Sequence, residues 1–254
     1  MIYMFFMEIT KLYSPNYNHK KRSSKNITSI IFHYTGMQSE RESLKRLLSS
    51  SSKVSCHYLI NRSGKIFRLV EDQNIAWHAG KSMWGKYKNL NKNSIGIELV
   101  NKGHRHGYQT FTKIQIKRLV ELCKYLKRKY RIKNKLILGH SDIAPLRKVD
   151  PGEKFPWGYL SLKGVGTYPG RIRRREKFQK NNDVNTLFHN LHIIGYRYLK
   201  KNFRKKIIKN FQRRYRQNRV NGILDWETLK ISEILAKNSN ITWFLSCRYY
   251  SSKR

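Results

Sequence analysis

The chain has 254 residues, 39% hydrophobic and 13% aromatic, which is enough apolar material for one ordinary domain plus a smaller one and excludes a globally disordered chain. Its formal charge of +39 comes from 54 Lys and Arg against 15 Asp and Glu, with +17 in residues 171–254 and +22 in residues 1–170. An excess spread so evenly fits either a compositional drift towards Lys, Asn, Ile and Tyr or a surface for an anionic polymer; with no helix-turn-helix, zinc-finger or RNA-binding motif beside it, it gives no sign of a sequence-specific reader of nucleic acid.

The apolar run at residues 2–7 is too short for a signal-peptide core, and no stretch approaches the roughly 20 apolar residues of a membrane span. β-Branched, apolar runs at 27–33, 57–60, 66–70, 95–100 and 135–138 are predicted strands. The turn Asn61-Arg62-Ser63-Gly64 predicts a hairpin between the second and third. Ser39 with Glu42, and Thr112 with Gln115, have capping-box spacing ahead of apolar residues at helical period, so two helices are expected there. This alternation predicts an α/β fold, a mixed central sheet flanked by helices. Periodicity then fades through Gly164, Gly166, Pro169, Gly170 and the basic run 171–175, a predicted linker. Beyond it the pattern predicts a small domain of about three short helices, the last capped by Asp225. Cys56, Cys123 and Cys247 are odd in number and lack metal-knuckle spacing, so they predict no disulfide framework.

Three positions have the chemistry of an open zinc site: His33 at the end of a strand, His140 just after another, and Asp150 ten residues on. Spacing alone leaves a structural role open for each. The segments IIFHYTG, VSCHYLI, WHAG, NSIGIELVN and GHSDIAP..KVDPGEKFPW resemble, in order and wording, the zinc N-acetylmuramoyl-L-alanine amidases of the peptidoglycan-recognition-protein superfamily, over roughly residues 25–160. The resemblance implies zinc on His33, His140 and Asp150, with Glu98 and Lys148 as catalytic partners and His78 lining the substrate groove. The implied reaction is metal-assisted hydrolysis of the amide between N-acetylmuramic acid and L-alanine, with Glu98 moving protons and Lys148 facing the developing oxyanion. Some members carry a catalytic Tyr where this chain has Cys56; others rely on the Glu of GIE, and Glu98 groups this chain with them. Members lacking the zinc ligands bind peptidoglycan without cutting it, which is the alternative reading.

The segment IIKNFQRRYRQNRVNGILDWETLKISEIL resembles the three-helix peptidoglycan-binding module fused to many wall hydrolases. The expected layout is a catalytic domain over 1–160, a linker over 161–183 and a wall-binding helical domain over 184–240, working as a monomer on peptidoglycan or muropeptides. For location the clues oppose each other: the missing signal peptide favours cytoplasmic fragments, and the binding module favours wall polymer.

Overall fold

In the computed structural model the described residues are 7–170, 172 and 183–251, with side chains of the last helix described through residue 239. The apolar run at 2–7 (Met7 excepted), most of the basic run 171–175 and the side chain of Cys247 lie outside them. The central sheet is built from β1 (Ile9–Lys11), β2 (Ser29–Tyr34), β3 (Tyr58–Ile60), β4 (Ile66–Arg68), β5 (Ser94–Leu99) and β6 (Ile137–Gly139), in the order β1-β4-β3-β5-β2-β6. Only β3 and β4 pair antiparallel; every other neighbour is parallel, so the sheet is mixed as expected. The antiparallel pair is the predicted hairpin, closed by Gly64 N–H on the Asn61 carbonyl (3.0 Å) and Lys65 N–H on Asn61 Oδ1 (2.8 Å), with Gly64 in the left-handed region at φ +86°.

Helices α1 (Glu40–Leu48) and α2 (Lys113–Tyr130) start at the predicted caps: Ser39 Oγ accepts from Glu42 N–H and Thr112 Oγ1 from Gln115 N–H, both at 3.1 Å. The Gln115 side chain does not return to its own cap. It turns inward and donates to the carbonyls of Ile60 and Val100, tying the helix to the sheet.

The long parallel strands are buried on both faces, hence their unbroken apolar runs. Ile30, Phe32, Ile95, Ile97, Leu99 and Ile137 face one side and pack with Leu119, Leu122, Cys123 and Leu126 of α2. Ile31 and Leu138 face the other side, where they share one apolar cluster with Leu187, Leu191, Ile207, Phe211 and Ile231 of the C-terminal helices. Those helices are α5 (Asp183–Ile194), α6 (Arg204–Tyr215) and α7 (Trp226–Ser251); the short α3 (His140–Ile143) packs in their cluster, and the short α4 (Trp157–Leu162) in the cluster on the α2 side. Two features depart from the expectation. The last helix has 26 residues instead of being short. Val165, at the head of the expected linker, is fully buried in the sheet core.

Candidate active site

His33 ends β2, Glu98 lies opposite it on β5 as its register partner, and His140 follows β6 directly, so three groups emerge at the carboxyl ends of parallel strands. Because strand side chains alternate, His33 shares its face with Ile31, and Glu98 shares that face with Gly96. Gly96 leaves the space that His78 fills: a Cβ there would meet the His78 ring at 2.4 Å. Lys148 and Asp150 come from the loop after α3, brought round by Ser141 N–H donating to the Asp150 carbonyl (2.9 Å). The five residues that the sequence singled out, with His78, line one cleft of about 640 Å³, joined by Arg46, Trp77, Arg105 and Arg147.

At its floor, His33 Nδ1, His140 Nδ1 and Asp150 Oδ2 form a triangle with sides of 2.9, 3.0 and 3.1 Å. The surrounding hydrogen bonds fix where the imidazole protons sit. Ser94 Oγ donates to the Leu90 carbonyl (2.6 Å), so towards His78 it accepts, and His78 Nε2 at 3.1 Å carries a proton. The bare His78 Nδ1 then accepts from His33 Nε2 at 3.0 Å, which leaves His33 Nδ1 without hydrogen. His140 Nε2 lies 3.1 Å from the Ala79 carbonyl, which can only accept. Arg147 also approaches that nitrogen, but its Nη2 hydrogens go to the carbonyls of Ala79 and Lys81. With one proton per ring, two bare nitrogens and a carboxylate oxygen therefore converge on one point, an arrangement that repels itself and suits a cation. Donor atoms 2.9–3.1 Å apart could together hold one small divalent cation, and a set of three protein donors would leave a coordination position for water.

Electrostatics agree with ligands held ready in the deprotonated state. Burial, then His140, lowers the His33 pKa to about 4 against the raising effect of Asp150. Although burial alone would raise it, Asp150 is held well below the usual carboxylate range by the two histidines beside it, His140 first and then His33. Glu98 goes the other way: burial, then the Asp150 charge, raises it to about 8 against the opposing charge of Lys148. Its Oε2 is fully buried without a hydrogen-bond partner, an orphan acceptor beside the triangle. Among the described residues, His33, His140 and Asp150 are the cluster able to hold a metal ion. The Cys56 thiol is outside it, buried with Leu47, Leu59 and Val100 and pushed well above its ordinary pKa by burial.

Residues 23–153 match the family described as N-acetylmuramoyl-L-alanine amidase. The chain is 34% identical over 229 residues to the N-acetylmuramoyl-L-alanine amidase AmiD of Escherichia coli, covering 82% of each protein. The chain belongs to the N-acetylmuramoyl-L-alanine amidases. Its structure superposes on that of AmiD in complex with anhydro-N-acetylmuramic acid-L-Ala-D-gamma-Glu-L-Lys with a TM-score of 0.74 and 32% identity, covering 87% of this chain and 93% of that one. AmpDh3 from Pseudomonas aeruginosa in complex with anhydromuramic pentapeptide gives 0.76 at 29% identity, over 88% and 96%. The 1,6-anhydro-N-acetylmuramyl-L-alanine amidase AmpD of Haemophilus influenzae is 41% identical over 111 residues, 43% of this chain and 58% of that protein. This amidase hydrolyses the bond between N-acetylmuramic acid and L-alanine, so it is an enzyme and not a recognition protein alone. Among the described residues no helix is long and apolar enough to cross a membrane.

Three contributors went unnoticed in the sequence. Ser94 lies inside the quoted NSIGIE motif, yet only its bond to His78 gives it meaning. Arg147 was hidden among 54 basic residues, and Asn210 lies 60 residues beyond Asp150.

Proposed function

We propose that the metal is zinc, held by His33, His140 and Asp150, and that Glu98 and Lys148 carry out the proton and charge chemistry of amide cleavage. The observation that carries this reading is the convergence of three bare ligand atoms, at 2.9–3.1 Å, beside an unpartnered buried carboxylate oxygen. Zinc bound there supplies Lewis acidity, polarising the scissile carbonyl and making water acidic enough to act near neutral pH. Glu98 takes the proton of the attacking water and passes it to the leaving alanyl nitrogen, a transfer its raised pKa favours in both directions. The Lys148 ammonium faces the charge that grows on the carbonyl oxygen. His78 borders the groove and acts through His33, whose bare nitrogen it keeps aimed at the ion. Every one of these groups comes from one chain, so a monomer suffices.

The substrates in this reading are muropeptides and the wall polymer that contains the same linkage. The catalytic domain runs through Val165, a connection follows up to residue 183, and 184–240 form a helical domain that meets the wall, with exposed Lys201 and Arg204 supplying positive charge. Mass spectrometry of products from a defined anhydro-muropeptide tests the bond cut: the expected products are the free anhydro-sugar acid and a stem peptide starting at L-Ala. Cleavage within the peptide would overturn the assignment. For the helical domain, Lys201→Glu with Arg204→Glu in the full chain should reduce co-sedimentation with sacculi and leave the rate on the soluble substrate unchanged; unchanged sedimentation would remove that role.

A further inference from the structure

The segment 139–155 carries two of the three triangle groups and Lys148, and it is gripped along its length by side chains from α6 and the turns beside it. At its start, Asp142 Oδ2 accepts from Gly139 N–H (2.7 Å) and from Arg214 Nη1, while its Oδ1 accepts from Tyr196 Oη (2.7 Å). Arg214 and Asp142 are both buried, and the guanidinium lies over the Trp157 ring at 4.1 Å. In the middle, the fully buried Asn210 donates through Nδ2 to the carbonyls of Pro145 (2.6 Å) and Lys148 (3.0 Å). Its Oδ1 accepts from Arg213 Nη1 (2.8 Å), which fixes the amide with its donors towards the segment. At the end, Gln217 Nε2 donates to the carbonyls of Glu153 and Phe155 (2.7 and 2.6 Å).

We propose that α6 is part of the catalytic apparatus, with Asn210 a positioning residue that holds the backbone between Lys148 and Asp150, so that the helical domain sets metal affinity and turnover as well as meeting the wall. The physical case rests on what kind of segment this is. A loop has no backbone ladder to fix it: the N–H groups of Arg147 and Lys148 turn back to the Ala144 carbonyl, and the carbonyls of Pro145 and Lys148 find their partner outside the segment, in Asn210. Asn210 supplies two donors at a spot sealed from water, so no solvent molecule can replace them without rearrangement. The Lys148 carbonyl it holds is two residues from the Asp150 carboxylate. Rotation of that peptide would move ligand and ammonium together, and the tolerance of such a constellation is about 0.5 Å.

This inference rests on the zinc reading, and its test keeps the two apart. In the full chain, Asn210→Ala should weaken zinc affinity about 10–100-fold by chelator competition, the size of effect known for groups that orient ligands. On a soluble anhydro-muropeptide it should lower kcat by a similar factor while KM changes little. Leu187→Ala, in the apolar cluster that the helical domain shares with the sheet and with no polar atom to hold the segment's carbonyls, is the control: it should lower Tm and leave zinc affinity and kcat at wild-type values. Should the alanine variant fail to fold, Asn210→Asp keeps the shape, removes the donors and should show the same losses. Wild-type zinc affinity and kcat in the Asn210 variant, or equal losses in Leu187→Ala, would overturn the inference alone. A wild-type chain that retains no zinc would overturn the metal reading and this inference with it.

Discussion

The two walls of the cleft are built by different means. On one wall His33 and Glu98 sit as register partners on adjacent parallel strands, so the backbone ladder that makes the sheet also fixes the distance between them. On the other, His140, Lys148 and Asp150 belong to a helical turn and a loop, held by side chains that arrive from helices more than 60 residues away. The first wall is rigid because of what it is, the second because of what touches it. Damage to the first should therefore remain local and chemical, whereas damage to the second should spread between affinity, rate and stability.

The largest contrast should come from Glu98→Gln. Removing the proton carrier while the ladder keeps its place should lower kcat by about 10²–10⁴-fold with zinc fully retained. Loss of zinc from that variant would mean that Glu98 holds the site together rather than moving protons. The same residue sets the pH profile. As the base it must be ionised, so the rate should rise with pH through its pKa; burial places that value at about 8 in the metal-free protein, and a bound cation opposes the shift, so the acid limb should lie below it. In Glu98→Gln that limb should disappear, which a pH–rate series would check.

On the second wall, Lys148→Ala should lower kcat by about 10²–10³-fold, more than it raises KM, since its charge matters most when the oxyanion forms. A rise in KM alone would make it a substrate anchor. Smaller again is Ser94→Ala, which removes the acceptor for the His78 proton and lets the His33 tautomer wander; zinc affinity should fall by about 10-fold, at the lower end for a group two bonds removed from the ion. Unchanged affinity would show that Gly96 and the packing of His78 suffice to aim His33. Least of all, and away from both walls, Arg118→Ala breaks a half-exposed pair with Glu121 and should cost about 0–1 kcal/mol in denaturant unfolding, far below the buried Arg214–Asp142 pair.

The same division partly decides what could be read from the sequence. His33 was legible because a parallel strand buried on both faces is a continuous apolar run, and a polar residue near the end of such a run marks itself. The hairpin at 61–64 and the caps Ser39 and Thr112 were legible because turn and cap chemistry is local. His140 and Asp150 were candidates by residue type and position, with a structural role left open, whereas Glu98 and Lys148 were visible only through wording shared with a family, since no period singles out an acid within a buried strand or a lysine in a loop. Asn210 and Arg214 gave no signal: a basic, amphipathic stretch reads alike whether its helix floats free or packs on a sheet, and only Ile31 and Leu138, whose burial on that face needs a cover, required the latter. Val165 escaped for a similar reason, lying among glycines that read as linker while its side chain fills the core.

One catalytic zinc on His33, His140 and Asp150 is the proposal on which the other assigned roles depend. It is tested most directly by stripping the full-length protein with a chelator and following amidase rate on a defined anhydro-muropeptide as zinc is returned. The expected result is no turnover from the stripped protein and a rise in rate that ends at one zinc per chain. Full turnover by protein shown to be metal-free would contradict it.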